Sequence, residues 1–478
     1  MYRQGLLMQT SELENIEMIF FFIGYILVGT YIAVHLRVDS KIWLYFFLHL
    51  ISGMFLFEAT IKIINELSIF KAPSLIFLLI NSVYYIISSI KYFAEIEYYP
   101  QFSITTQERL YGSLVVCLSL FVCLCFIKWI SGKVRKIIEV QYIVKFIPKL
   151  PHFLLWFLLV NIILKALLIN QGYQPSYFSD QPSYLILPYS GLIFLAAETI
   201  TSQIVLILSA VIIMIPEGGP RRLGSILSLI SIALHLFWSL FLRARYLLMF
   251  PIVSIGIIIL LTKRPIIARR FWRWLIFIAF VMGTLGGAAI LDLLGRPHLY
   301  GSDAIYTSVA EIGYRLDLSD FAFACIRHGK TSTFNFSLIF EGIMNMIPRT
   351  LWPTKEFDSQ YNIALEEMGW PAIDYPDTFF STGALTAGWL GFFLVPIFFL
   401  IYVEFGYRIA FYFIKYIGSD IGFVISFFYL LVVLTGIEMD WNLFFLYHFR
   451  NPILGILLIC LTSFFTRLKR KGNNYHMS

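Results

Sequence analysis

Apolar runs of membrane-crossing length recur from one end of this 478-residue chain to the other, and that recurrence limits the fold more than any other feature. Each run meets the roughly 20 residues that a helix needs to cross a hydrocarbon core about 30 Å thick. Inside lipid the backbone N–H and C=O groups have to be satisfied within the segment, so such a run folds as a helix. The alternation over about ten residues that marks the strands of an outer-membrane barrel is absent. Only 14% of the residues are charged, against about a quarter in soluble proteins. With 59% hydrophobic residues and a mean hydropathy of +0.78, the chain reads as an all-α, polytopic membrane bundle.

The runs predict twelve spans, near residues 19–34, 43–61, 74–90, 110–129, 153–168, 192–215, 226–242, 246–261, 275–294, 384–403, 421–437 and 452–465. No cleavable leader is expected, because residues 1–17 lack a basic start leading into a short apolar run. Basic connections, such as Lys133, Arg135 and Lys136, Arg221 and Arg222, and Lys263, Arg264, Arg269 and Arg270, alternate with poor ones, and 171–190 has no Lys or Arg at all. Positive residues prefer the cytoplasmic side, which places both termini in the cytoplasm. Arg37 and Lys41 fall on the other side and depart from the pattern. The expected organisation is an N-terminal bundle of about nine spans over 1–295, an outer loop over 296–383, and about three C-terminal spans over 384–478.

The outer stretch, Arg296 to Gly383, holds six basic residues against eleven acidic ones, a net of about −5. The isoelectric point of 9.0 therefore reflects the cytoplasmic anchors and not a nucleic-acid footprint, and a basic cytoplasmic face suits anionic lipid. Helical spacing persists within the stretch. Ile305, Val309, Ile312 and Leu316 share one face, with Ser302 as a cap and Glu311 four residues from Arg315. A second helix is expected from Ser319 to Gly329, and a third around 336–347 that stops before Pro348. Short amphipathic helices of this kind lie on the membrane surface or cover the bundle, and the expectation is a lid over an outward-facing cavity.

Candidate chemistry follows from charges placed where they cost most. Arg243 and Arg245 sit at the outer ends of the seventh and eighth spans. Two guanidinium groups at the lipid boundary call for anionic compensation, either lipid headgroups reached by snorkelling or a phosphate or diphosphate gripped bidentately. Arg349 lies between Pro348 and Trp352-Pro353, which restrict its backbone. Trp352 offers a ring for an interface or a sugar face, and Lys355 adds a second cation; the plainer reading is an interfacial tryptophan with incidental basic neighbours. Glu311, Asp317, Asp320, Glu341, Asp440 and His448 are candidate bases, with Glu341 and His448 favoured, while Asp440 and Arg450 equally suit an ion pair. Lys165, inside the fifth span, is expected to snorkel outward. Cys117, Cys123, Cys125, Cys325 and Cys460 read as packing residues, and neither they nor His298 and His328 have metal-site spacing.

Three strings then carry a resemblance: Ile347-Pro348-Arg349 followed by Leu351-Trp352-Pro353 and Lys355; Arg243-Ala244-Arg245 followed by Tyr246-Leu247-Leu248; and Gly383-Ala384-Leu385-Thr386-Ala387-Gly388-Trp389-Leu390-Gly391. In this arrangement the chain resembles the Wzy-type O-antigen or capsular oligosaccharide repeat-unit polymerases. The resemblance implies a GT-C-like, metal-independent glycosyltransferase of the bacterial inner membrane that needs no cofactor. Such an enzyme moves a growing glycan from undecaprenyl diphosphate to an incoming undecaprenyl-diphosphate-linked repeat unit on the periplasmic face, with a chain-length regulator protein as a partner. Displacing lipid diphosphate builds negative charge on the leaving group, which fixed arginines stabilise. Arg243, Arg245, Arg349 and Lys355 would then grip the diphosphate, Trp352 would contact glycan, and Arg349, Glu341 and His448 would form the catalytic set. Ser381 and Thr382 stand where many relatives carry an acidic residue, so no carboxylate role is assigned there. Two alternatives stay open. One is an O-antigen ligase-like transferase with a different acceptor. The other is a lipid-linked oligosaccharide flippase or transporter, which would be expected to carry charges inside its spans and an internal repeat.

Overall fold

In the computed structural model the described residues are 2–67, 74–93, 104–132, 150–170, 193, 196, 197, 201–214, 221–241, 265–293, 303–315, 317–327, 336–347, 352, 378–417, 444, 445, 449, 453 and 457. Every element among them is helical. In chain order they are α1 (Tyr2–His35), α2 (Ser40–Leu67), α3 (Ser74–Ser88) with a 3-10 turn at Ser89–Phe93, α4 (Thr106–Gly132), α5 (Leu150–Asn170), α6 (Ser202–Met214), α7 (Arg221–Phe241), α8 (Pro265–Leu293), α9 (Ala304–Arg315), α10 (Asp320–Arg327), α11 (Phe336–Asn345) and α12 (Phe379–Ile417).

Among the described residues, six segments are long and apolar enough to cross a membrane: Glu17–His35, Ser40–Ile64, Ser74–Phe93, Thr106–Ile130, Pro151–Asn170 and Phe379–Gly406. The expected span at 226–242 falls on α7, whose apolar part is the shorter Gly224–Trp238, and that at 275–294 falls on α8. The expected spans at 246–261 and 421–437 lie outside the described residues.

Helix ends obey local chemistry. Arg37 closes α1 in the left-handed region, with φ of 53°, and Val38 N–H donates back to the Ala33 carbonyl at 2.9 Å, a Schellman closure with an arginine where glycine is usual. At the start of α4, Thr105 N–H donates to Glu108 Oε2 at 2.8 Å and Glu108 N–H to Thr105 Oγ1 at 3.3 Å, a capping box. The cap of α9 is Asp303 and not Ser302, since Asp303 Oδ1 accepts from the N–H groups of Ile305 and Tyr306 at 2.9 and 2.8 Å.

α3 is the central strut. Thirteen of its fifteen residues are buried, and it packs against α2, α4, α8, α9 and α12. Ion pairs sort to the two ends of this bundle. Glu17 meets Arg270 at 3.1 Å and Glu58 meets Arg273 at 2.8 Å at one end. His35 meets Asp303 at 3.1 Å at the other. α1 and α8 therefore run in the same direction, and the segment after α8 lies at the far end from Glu17.

α9 and α10 belong to the core of that far end. Thr307, Ser308, Val309, Ala310, Phe321, Ala322, Ala324 and Cys325 are all buried. They are packed into the bundle as deeply as the spans. α11 differs, as its outward side stays exposed.

The re-entry after the long segment folds in a way the expected span at 384–403 does not anticipate. α12 breaks at Ala387 (φ −154°, ψ 30°) and Gly388 (φ 59°, ψ −139°). In a straight helix Phe379 and Phe399 would stand about 30 Å apart, yet their ring centroids are 4.1 Å apart, and those of Phe380 and Phe392 are 5.0 Å apart. The leg 379–386 thus doubles back along the helix that follows Gly388. Backbones meet at Gly383 and Gly391, where a Cβ on either residue would strike the other's carbonyl. Thr378 and Ser381 cap the short leg, with Thr378 N–H donating to Ser381 Oγ at 2.7 Å and Ser381 N–H to Thr378 Oγ1 at 3.3 Å. Ser381 is therefore committed to a structural cap. Gly388 has a φ/ψ pair essentially closed to side chains, so Gly388→Ala should cost about 1–3 kcal/mol. Thermal unfolding of the detergent-purified variant checks this, and an unchanged midpoint would mean the turn relaxes freely.

Candidate functional site

α3 ends where its hydrogen-bond ladder is contested. The Tyr85 carbonyl accepts from His49 Nε2 at 2.8 Å and from Ser88 Oγ at 3.0 Å, and from Ser89 the chain tightens into the 3-10 turn that carries Lys91 and Tyr92. α9 crosses this turn at contact distance: a Cβ on Gly313 would lie 2.9 Å from Lys91 Cα. Glycine is what allows the two backbones to approach so closely.

Lys91 is only 2% exposed, and its ammonium donates three hydrogen bonds of 2.7 Å, to Asp317 Oδ1, Ser319 Oγ and Asp320 Oδ1. Arg109 of α4 reaches the other oxygen of Asp320, with Nε 3.4 Å from Oδ2. The Asp317-Leu318-Ser319-Asp320 turn binds itself as well, with Asp320 N–H donating to Asp317 Oδ2 at 2.6 Å and Ser319 N–H to Asp317 Oδ1 at 3.3 Å. Two cations face two carboxylates, so the knot is charge-balanced, as a buried ionic cluster has to be.

A polar chain leads inward from the knot. Ser319 Oγ lies 3.3 Å from Ser113 Oγ, Ser113 Oγ lies 3.2 Å from Tyr92 Oη, and Tyr92 Oη lies 3.1 Å from His49 Nδ1. A carbonyl only accepts, so His49 Nε2 carries the hydrogen directed at Tyr85. α2, α3, α4 and the turn before α10 are thereby joined through polar groups alone.

The two aspartates are not equivalent. Burial, reinforced by the charge of Asp320, pushes the Asp317 carboxyl above the ordinary carboxylate range. Burial acts on Asp320 too, but Lys91 and Arg109 outweigh it and hold that carboxyl below the range. Asp317 is the member that takes up a proton first.

The candidate bases Asp317 and Asp320 are therefore tied up in this knot. Glu341 sits half-buried on α11, and Trp352 is 36% exposed. Arg243, Arg245, Arg349, Lys355 and His448, as well as Asp440 and Arg450, lie outside the described residues, as does the side chain of Glu311. Lys165 does not snorkel: it is buried, with its ammonium 4.9 Å from the centre of the Trp238 ring. One turn away, Asn161 Nδ2 donates to the Ala197 carbonyl and to Thr201 Oγ1, both at 2.7 Å. Cys325 is buried, and burial pushes its thiol up, as its packing role requires.

Lys91 and Arg109 were missed as site residues because each reads locally as an ordinary charge at the end of a span. The Asp317–Asp320 spacing, followed by an apolar helix, was the available signal of a cap. Phe323 of α10 also packs edge-on against Trp389, just past the Gly388 turn of α12, at 5.3 Å between ring centroids.

No family model, no curated protein and no solved structure matches this chain.

Proposed function

We propose that this protein polymerises undecaprenyl-diphosphate-linked oligosaccharide repeat units on the periplasmic face of the bacterial inner membrane, as a GT-C-like bundle of about twelve spans with cytoplasmic termini. What carries the reading is the rigid framing of the segment that bears Arg349, Trp352 and Lys355, with a buried ionic knot before it in the chain and a close-packed backbone hairpin after it. Catalysis by orientation needs its cations held against a rigid support. The loop has one on each side, the Lys91 knot before it and the Gly383–Gly391 hairpin after it. In this reading Arg243 and Arg245 join Arg349 and Lys355 on the diphosphate and stabilise the charge that builds on the leaving group. Glu341 and His448 remain the candidates for orienting or deprotonating the acceptor hydroxyl.

A lipid-linked oligosaccharide transporter is the second reading, and a specific observation favours it: Glu404, Lys165, His235 and His49 are ionisable groups buried within membrane helices. Such groups often mark a transport path. The Glu404 carboxylate, however, caps α3 by accepting from Ser74 N–H at 3.2 Å and from the Ser74 hydroxyl, which is a structural use.

The two readings separate when purified protein is reconstituted with a defined lipid-linked repeat unit. Polymerisation yields lipid-linked products longer than one unit. Translocation of the substrate without elongation would replace this proposal with the transporter, and transfer only to a lipid A core acceptor would replace it with the ligase.

A further inference from the structure

α11 is built inside out for a soluble surface helix. Leu338, Gly342 and Asn345 form its buried side. The opposite side carries Phe340 and Ile343, which are 60% and 40% exposed, and Ile347, 37% exposed, continues it in the turn just past the helix end; the half-buried Ile339 and Met344 flank it. The apolar side is thus the outward one. Glu341 stands at its edge, and no charge interrupts it. A contiguous apolar face of this kind marks a membrane or protein contact. Its exposures match those of Leu48, Ile51 and Phe55 on the outward side of the spanning helix α2, which are 42%, 49% and 66% exposed.

We infer that α11 is an interfacial anchor whose Phe340–Ile343–Ile347 ridge seats in the outer leaflet of the bilayer. The adjoining sequence selects lipid over a second copy of the chain. Pro348 ends the helical run, Trp352 follows as an exposed amphipathic ring, and Arg349 and Lys355 supply cations. An apolar ridge, an aromatic at its border and cations beyond it reproduce the order of acyl chains, interface and headgroup phosphates. Arg349 is two residues beyond Ile347 in the sequence, and under the proposed function an anchor here serves to bring that cation to the lipid diphosphate. The lipid contact does not rest on that reading.

Photocrosslinking in proteoliposomes of phosphatidylethanolamine and phosphatidylglycerol tests the anchor without any transfer reaction. With p-benzoylphenylalanine in place of Phe340 or, in a separate variant, Ile343, irradiation should give phospholipid adducts detectable by mass spectrometry. The same probe in place of the buried Asn345 should give adducts within the chain. A chain-to-chain crosslink at 340 and 343, or no lipid adduct at either, overturns the proposal. Labelling only by added undecaprenyl phosphate, with phospholipid left unlabelled, overturns the leaflet in favour of a carrier site. Lipid adducts from a protein that elongates no glycan would keep the anchor and remove the polymerase reading.

Discussion

Arg349→Ala is expected to abolish elongation of the lipid-linked glycan while leaving membrane insertion and thermal stability close to those of the parent protein. Under the proposed function this guanidinium stabilises charge that develops on the departing diphosphate. Loss of one such preorganised donor costs about 100- to 1,000-fold in turnover. Because guanidinium binds diphosphate oxygens in a planar fork, Arg349→Lys should recover only a minor part of the rate. In cells, the surface glycan of the alanine variant should carry single repeat units where the parent shows a ladder, since ligation survives when polymerisation stops. A normal ladder at normal expression would remove Arg349 from the reaction.

The second large effect falls on folding. Lys91→Met is expected to destabilise the protein by about 3–5 kcal/mol, the scale for removing one partner of a buried ion cluster. The methionine fills most of the volume, so the loss is electrostatic: Asp317 and Asp320 would remain buried with Arg109 as the nearest described cation. Thermal unfolding in detergent and hydrogen exchange over α9 and α10 read this effect. Exchange in those helices should rise more than in α5, which does not touch the knot. Uniform exchange across α5, α9 and α10 would contradict a local latch.

The aspartates refine the same experiment through pH. Asp320 has a lowered carboxyl pKa, so its stabilisation is complete above the unfolded value of about 4 and is lost as pH falls below that value. Asp317 has a raised one, so its contribution is complete below that value and is lost as pH rises through the folded one. At neutral pH, Asp317→Asn should therefore cost less than Asp320→Asn, which leaves Lys91 and Arg109 poorly compensated. The reverse order in thermal unfolding would mean that the two carboxylates share the cations differently from the geometry described.

Much of the outer segment was legible because helices announce themselves locally. The spacing of Ile305, Val309 and Ile312 predicts α9, Ser319 stands at the N-cap position of α10, and Pro348 marks the end of the run that holds α11. The fate of the charges was not legible. Asp317 and Asp320 look like solvated carboxylates until Lys91, 226 positions from Asp317, is brought beside them. Lys165 looks like a snorkelling lysine until Trp238 supplies a ring to cover it.

By itself, then, the sequence determined that the chain is a membrane bundle of helices, because the need to satisfy the backbone inside lipid acts on every twenty-residue window independently of the rest. It also marked the Ile347–Lys355 string and the glycine-rich re-entry as unusual. Only the tertiary structure decided that α9 and α10 are core, that Lys91 and Arg109 balance two aspartates, and that residues 379–386 fold back at Gly388. These outcomes depend on which distant groups meet once water is excluded. Burial converts an ordinary lysine into the centre of a knot, and two glycines eight positions apart become a contact only because the backbone between them reverses.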